Sequence, residues 1–222
     1  MLSSTSELDR LLTIVQNPIR REIIRRLSQE PSYPLEISED LGIYQPLVSK
    51  HLKVMEEAEV VEAKTESSPY GPDRKVYYLA KAVSLTVDFS PDLYNIRMSS
   101  LQRVPLPKSI GEFKDRLNHL SMKHHTLDQY AELIAELDKR IAELERERAA
   151  LLHLRSLAMR AAKESIKGKQ VSFIERMIAY HILNKNERTV REISKSLNVS
   201  EDLVKRVLDQ LMKKAIIRHF DY

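Results

Sequence analysis

Residues 37–61, ISEDLGIYQPLVSKHLKVMEEAEVV, recur 156 positions later without a gap as ISKSLNVSEDLVKRVLDQLMKKAII, residues 193–217. Ile37, Ser38, Leu41, Leu47, Val48 and Leu52 are identical to Ile193, Ser194, Leu197, Leu203, Val204 and Leu208. Most of these are apolar and fall at helical spacing. Gly42 meets Asn198, and both residue types tolerate left-handed backbone. A short helix, a tight turn and a longer helix satisfy that pattern, which is the helix-turn-helix outline. The chain is therefore expected to build one core twice.

The first copy has neighbours that complete a winged helix. Ser6-Glu-Leu-Asp9 reads as a capping signature ahead of Leu8, Leu11, Leu12 and Val15. Asn17-Pro18 ends one helix and opens the next, whose apolar stripe is Ile19, Ile23, Ile24 and Leu27. Arg20, Arg21, Arg25 and Arg26 lie mainly off that stripe and are expected to be solvated or ion-paired, with one or two on phosphate. After the helix expected at about 45–57, two short strands flank the tip TESSPYGPDR and predict a β-hairpin wing over about 60–80. Residues 83–89 alternate as a further strand. Residues 90–108 carry Pro91, Pro105 and Pro107 and read as connector.

Between the copies lies a segment with no Gly or Pro from Thr126 to Lys167. Capping boxes at Ser109–Glu112 and Thr126–Gln129 open two helices, the second about 40 residues long. Leu127, Ile134 and Ile141 fall at heptad position a, and Tyr130, Leu137, Leu144 and Leu151 at d, until Arg148 lands at a. Such a seam needs a partner, and a second copy of the chain is the economical one. Further capping boxes at Ser172–Glu175 and Thr189–Glu192 open the C-terminal helices, and Ile216–Phe220 reads as a closing strand.

The fold class expected is mainly α with small β-wings (α+β), two winged helix-turn-helix domains joined by a long coiled-coil dimerisation helix. The domains read as 1–90, an N-terminal winged helix; 91–125, a connector with a short helix; 126–168, the dimerisation helix; and 169–222, a C-terminal winged-helix-like domain.

Composition removes whole classes of function. The 222 residues include no Cys, which excludes disulfides, thiolate metal sites and thiol catalysis. Only four Gly occur, none in a phosphate-loop pattern. No apolar run approaches the roughly 20 residues of a membrane span. The start of the chain lacks a secretory signal, so a cytoplasmic location is expected. No nucleophile and base stand at a recognisable spacing, so no enzyme and no cofactor are expected. His119, His124 and His125 cluster without metal-ligand spacing, and no metal site is expected.

Charge separates the two copies. Residues 1–90 hold 11 Lys and Arg against 14 Asp and Glu, whereas residues 169–222 hold 11 against 7. Yet no carboxylate occurs from Gly42 through Met55, while the second copy places Glu201 and Asp202 opposite Gln45 and Pro46. Carboxylates at the reading end of a helix repel phosphate, so the first copy is the better DNA reader.

NPIRREIIRRL (17–27), LGIYQPLVSKHLKVMEEAEVV (41–61) and YGPDRKVYYL (70–79) resemble the arsenic-repressor (ArsR) type of winged-helix regulator over about the first 80 residues. The wider layout is similar to the archaeal sulfur-response regulators, which carry a winged helix, a long dimerising helix and a second winged helix. Their Cys-x-x-Cys redox switch has no counterpart here. Metal-sensing ArsR members use Cys on the helix before the recognition helix, where this chain offers only Glu36, Glu39 and Asp40. Tyr44 also stands where a small capping residue is usual.

The expected function is a homodimeric, sequence-specific DNA-binding transcription regulator acting on double-stranded DNA at an inverted-repeat operator. An effector is left open, and no membrane partner is expected. Tyr44, Gln45, Pro46, Ser49, Lys50, His51 and Lys53 would approach the major groove. Gln45 suits adenine, Lys50 suits guanine or phosphate, and Ser49 and Lys53 suit phosphate. Lys64, Arg74 and Lys75 on the wing would meet backbone or minor groove. His51 lies on the core flank, where a structural role is the simpler one. The competing expectation is a winged-helix protein-interaction module that reads no DNA sequence.

Overall fold

The structure, a computed structural model, describes residues 2–67 (backbone only for 2–6), 73–122, 126–167, 169–185, 187, 189–218 and 220. The tip of the expected wing at 68–72, together with His124, His125, Gly168 and His219, lies outside the described residues. The chain divides into two units, Met1–Val87 with Ile96–Pro105, and Asp88–Asn95 with Leu106–Tyr222.

The first unit opens with α1 (Leu2–Val15), α2 (Pro18–Gln29), α3 (Pro34–Leu41) and α4 (Gln45–Glu57). α1 starts ahead of the capping signature expected at Ser6. The Asn17 side chain accepts a hydrogen bond from Arg20 N at 3.1 Å, and Pro18 occupies the first turn of α2 as its fixed φ favours. Gly42 ends α3 in the left-handed region (φ 63°). One apolar side chain per turn points inward, so Ile14, Ile23, Ile37, Val48, Leu52 and Met55 are buried together. Each such side chain contributes roughly 1.5–3 kcal/mol.

β1 (Val61–Glu66) and β2 (Arg74–Leu79) form an antiparallel ladder running from Val61 opposite Leu79 to Glu66 opposite Arg74. Ser32 adds a single bridge to Tyr77, with N–H to O distances of 3.2 and 2.8 Å. A helix-turn-helix followed by a small antiparallel hairpin is the α+β winged-helix arrangement.

β3 (Val83–Ser90) and β4 (Leu93–Ser100) form a second two-stranded sheet. Half of the expected connector is therefore strand. Pro91 and Asp92 make the turn between the strands, where the fixed φ of proline suits a tight reversal. Pro91 thus punctuates a hairpin instead of opening a loop.

In the second unit a 3₁₀ turn (Lys108–Ile110) leads into α5 (Gly111–Met122), in place of the capping box expected at Ser109. α6 (Leu127–Lys167) is a 41-residue helix, about 60 Å long at 1.5 Å per residue. α5 packs on its start, with Leu133 buried, the Tyr130 hydroxyl donating to Leu120 O at 2.8 Å, and Arg116 paired with Glu136. The hairpin tip Asp88–Asn95 lies on the later turns of α6. Arg148 pairs with Asp88, and Lys163 Nζ lies 2.7 Å from Asp92 Oδ1.

α7 (Phe173–Lys185), α8 (Val190–Leu197) and α9 (Glu201–Lys213) enclose a second core around Ile178, Ile193, Val204, Leu208 and Leu211. Both capping boxes expected here form. Glu175 N donates to Ser172 Oγ and Ser172 N to Glu175 Oε2, and Thr189 and Glu192 exchange the same pair of bonds. The strand expected at 216–220 does not form over its described residues: 214–216 and 218 are turn and bend, and Ile217 and Phe220 are irregular. Among the described residues no second strand lies beside them, and a lone strand leaves its N–H and C=O groups unpaired.

The internal repeat extends to the main-chain hydrogen bonds. Ile43 N donates to Ser38 O at 3.0 Å, and Val199 N to Ser194 O at 3.1 Å. Val60 N donates to Met55 O and Ile216 N to Leu211 O, both at 2.9 Å. Gly42, Asn198, Glu59 and Ala215 all have positive φ, and they too fall in pairs 156 residues apart. Among the described residues no helix is long and apolar enough to cross a membrane.

Candidate nucleic-acid interface

α4 presents two faces. Val48, Leu52 and Met55 are fully buried, which turns Gln45, Pro46, Ser49, Lys50 and Lys53 outward to solvent. The side chains of Gln45, Ser49, Lys50 and Lys53 make no hydrogen bond or ion pair among the described residues. Tyr44 precedes the helix with its ring exposed, and its side chain does not cap the helix. Pro46 carries no N–H, and Leu47 N and Val48 N donate to Tyr44 O at 2.9 and 3.2 Å, so of the first-turn donors Gln45 N alone is left without an acceptor among the described residues.

His51 differs from its neighbours. It is half-buried on the flank of α4. Burial, then the charges of Arg20 and Lys50, hold its imidazole below the ordinary histidine value. It is neutral near pH 7 and adds no charge to the face.

The wing residues are held by contacts within the unit. Lys64 Nζ lies 3.0 Å from Glu62 Oε1 and 4.8 Å from the centre of the Tyr78 ring. Arg74 stacks over Tyr33 at 4.9 Å. Lys75 Nζ lies 3.0 Å from Glu56 Oε2 and over the Tyr77 ring at 5.1 Å. The hydrogen bond to Glu56, then one to Tyr77, raise the Lys75 pKa, so its charge is retained. Sequence reasoning missed these aromatic supports. Alternation along RKVYYL was the available signal, since it sends Tyr78 and Tyr77 to opposite faces of the wing.

The four arginines of α2 serve the fold. Arg20 donates to Ile14 O at 3.0 Å and to Thr13 O, and Arg21 to Val15 O at 2.7 Å, so both close the C-terminus of α1. Arg25 pairs with Glu22. Arg26 gathers Asp40, Glu30 and Glu36, and the Asp40 hydrogen bond raises its pKa. Arg26 thus sets a single positive charge among three carboxylates, which keeps it on them and leaves the net charge of the unit unchanged.

The corresponding face of α9 has another character. Ser200 Oγ accepts from Leu203 N at 3.3 Å and caps the helix, and Glu201 and Asp202 fill its first turn. Lys205 and Arg206 stand where α4 has Ser49 and Lys50, and Asp209 stands where it has Lys53. Acids and bases alternate on that face.

On α6, Leu127, Ile134, Ile141, Leu144 and Leu151 of the expected seam are exposed. Leu137 is half-buried, and so is Tyr130, which is hydrogen-bonded to the main chain of α5.

Residues 17–63 match the family model described as bacterial regulatory protein, arsR family. The match runs from the cap of α2 through α4 into β1, and so includes every candidate residue on α4. No curated protein matches the chain. The arsR regulators are a non-enzymatic DNA-binding family. The helix-turn-helix at residues 17–63 is thus of the ArsR type, which supports a DNA-binding transcription regulator.

Proposed function

We propose that the chain is a homodimeric, sequence-specific DNA-binding transcription regulator. α4 enters the major groove, with Gln45 and Lys50 addressed to base edges and Ser49 and Lys53 to phosphates. Lys64, Arg74 and Lys75 follow the backbone or the minor groove from the wing. The α6 helices of two copies pair through their exposed apolar seam. The C-terminal helix-turn-helix serves assembly, with its zwitterionic face turned to protein.

One observation carries this reading. Among the described residues Gln45, Ser49, Lys50 and Lys53 on the outward face of α4 have no internal partner, while Arg20, Arg21 and Arg26 of α2 are held by contacts within the unit. From Gly42 through Met55 no carboxylate stands on that face to repel phosphate.

The test is selection from random duplex DNA by the purified protein, with the affinities of the winners measured at two salt concentrations. An inverted-repeat motif whose affinity falls with salt is the expected outcome, since each phosphate contact releases counterions. No binding at low salt sinks the proposal and favours the protein-interaction module.

A further inference from the structure

The apolar stripe of α6 does not by itself state which way a partner runs. Its flanking charges do. Leu127, Ile134 and Ile141, at a, are 86%, 56% and 57% exposed, and Leu144 and Leu151, at d, are exposed as well. Arg140 and Glu147 occupy g positions, and Asp138 and Glu145 occupy e positions. In a parallel pair each g residue faces the e residue five positions on in the partner. Arg140 of one copy then meets Glu145 of the other, twice by symmetry, joining the within-helix pairs Arg140–Glu143 at 3.2 Å and Arg148–Glu145 at 3.6 Å, and no like charges meet across the flanks.

An antiparallel pair over the same apolar rows sets Ile134 opposite Leu144 and Ile141 opposite Leu137. Its flanks then bring each Arg140 beside the other Arg140, and each Asp138 beside the other Asp138. Both are like-charge contacts, and in this register, which overlaps the whole seam, no opposite-charge contact forms between the helices. Sliding the pair by one heptad relieves the Arg140 contact only by leaving Leu151 without a facing apolar residue or by setting Leu137 against Arg148. Arg148, at the a position where the seam ends, is already neutralised by Asp88. In-register parallel pairing sets the two copies of Arg148 opposite each other, each with its own Asp88 and Glu145 as counter-charge.

We propose that α6 pairs with α6 of a second copy in parallel, in register, locked by reciprocal Arg140–Glu145 contacts. The proposal rests on the homodimer reading above and adds its orientation. The twofold axis then runs along the helices, so both copies present the Leu127 end of α6 at the same end of the assembly.

The absence of cysteine makes the test clean. A disulfide needs Cα atoms roughly 4.4–6.8 Å apart. Identical a positions meet that condition across a parallel seam. In the antiparallel arrangement the two copies of residue 134 lie about 15 Å apart along the axis, ten residues at 1.5 Å. Ile134→Cys and Leu144→Cys, each on an exposed site, are oxidised separately, and the reduced parent is sedimented alongside.

Near-complete disulfide dimer from each single variant is the expected result. Arg140→Glu should then raise the dimer dissociation constant several-fold, and adding Glu145→Arg should restore it. Cross-linking only in the double variant Ile134→Cys/Leu144→Cys overturns the orientation and leaves the homodimer standing. A dimeric parent with no cross-link from any variant also overturns it, placing the pairing elsewhere. A parent that sediments as a monomer overturns the homodimer and the orientation together.

Discussion

Lys75 Nζ lies 3.0 Å from Glu56 Oε2, so the wing is tied to the last turn of α4 by an ion pair. Both side chains are well exposed, and pairs of this kind contribute less than about 1 kcal/mol to stability. The contact matters more for the charge Lys75 can offer to phosphate. Glu56→Gln should leave the urea midpoint nearly unchanged. It should tighten binding to duplex DNA of any sequence, because a carboxylate leaves the interface and Lys75 is released. Fluorescence anisotropy at two salt concentrations checks this, and weaker binding would show that the pair positions Lys75.

Lys50→Ala should weaken operator binding by about 1–3 kcal/mol and relax preference at one base position if Lys50 reads a base. A purely electrostatic contact weakens every sequence alike and lowers the salt slope by about 1. Selection repeated with the variant separates the two.

Ile134→Glu combined with Ile141→Glu should yield a folded monomer with poor operator affinity. Both positions are exposed on α6, so the chain's own core is untouched. Sedimentation of an unchanged dimer would move the interface off this seam.

In the second unit Glu175 is buried, and Lys214 Nζ lies 2.7 Å from its Oε1. The hydrogen bond from Lys214 outweighs desolvation and holds the Glu175 carboxyl below its ordinary value. A depressed carboxyl stabilises the fold above the unfolded value, near pH 4.3, and that contribution fades as the pH falls through the folded value. Lys214→Ala leaves a buried carboxylate without its cation and should cost roughly 3 kcal/mol at pH 7. The difference from the parent should shrink below about pH 4. Urea unfolding at pH 7 and pH 3 gives both numbers.

Gly42 sits at φ 63°, and a Cβ there would meet nothing within 4 Å. Gly42→Ala should therefore cost about 1 kcal/mol from backbone strain alone. Asn198→Gly, at φ 53°, should be close to neutral, since asparagine is already one of the residues that tolerate this region. Thermal melts of the two variants measure the contrast.

The helices were legible because their signals are local. Asn17-Pro18, Thr189 through Glu192 and Ser172 through Glu175 each fix a helix start with residues three apart, and all three caps form. The repeat was legible because buried positions such as Ile37 and Ile193 tolerate little change in shape. β4 was not, since Pro91 and Pro105 mark the segment as connector against the alternation of Tyr94, Ile96 and Met98. The apolar residues of 216–220 permit a strand, but a strand is a property of two segments and the sequence of one cannot supply the other. The outward set on α4 follows from Val48, Leu52 and Met55 alone. The ties of Lys75 to Glu56 and of Arg26 to Asp40 span 19 and 14 residues, and no periodicity reports contacts at such separations.

The bend between α3 and α4, and its twin between α8 and α9, is set by main-chain hydrogen bonds and buried hydrocarbon. Neither ingredient senses the polarity of the outer surface. One frame can therefore carry Lys53 on its outer face and the other Asp209 at the same place, with no loss to the frame itself. Repetition of such a unit separates architecture from occupation, because nothing in the shared skeleton ties the two surfaces to the same trade.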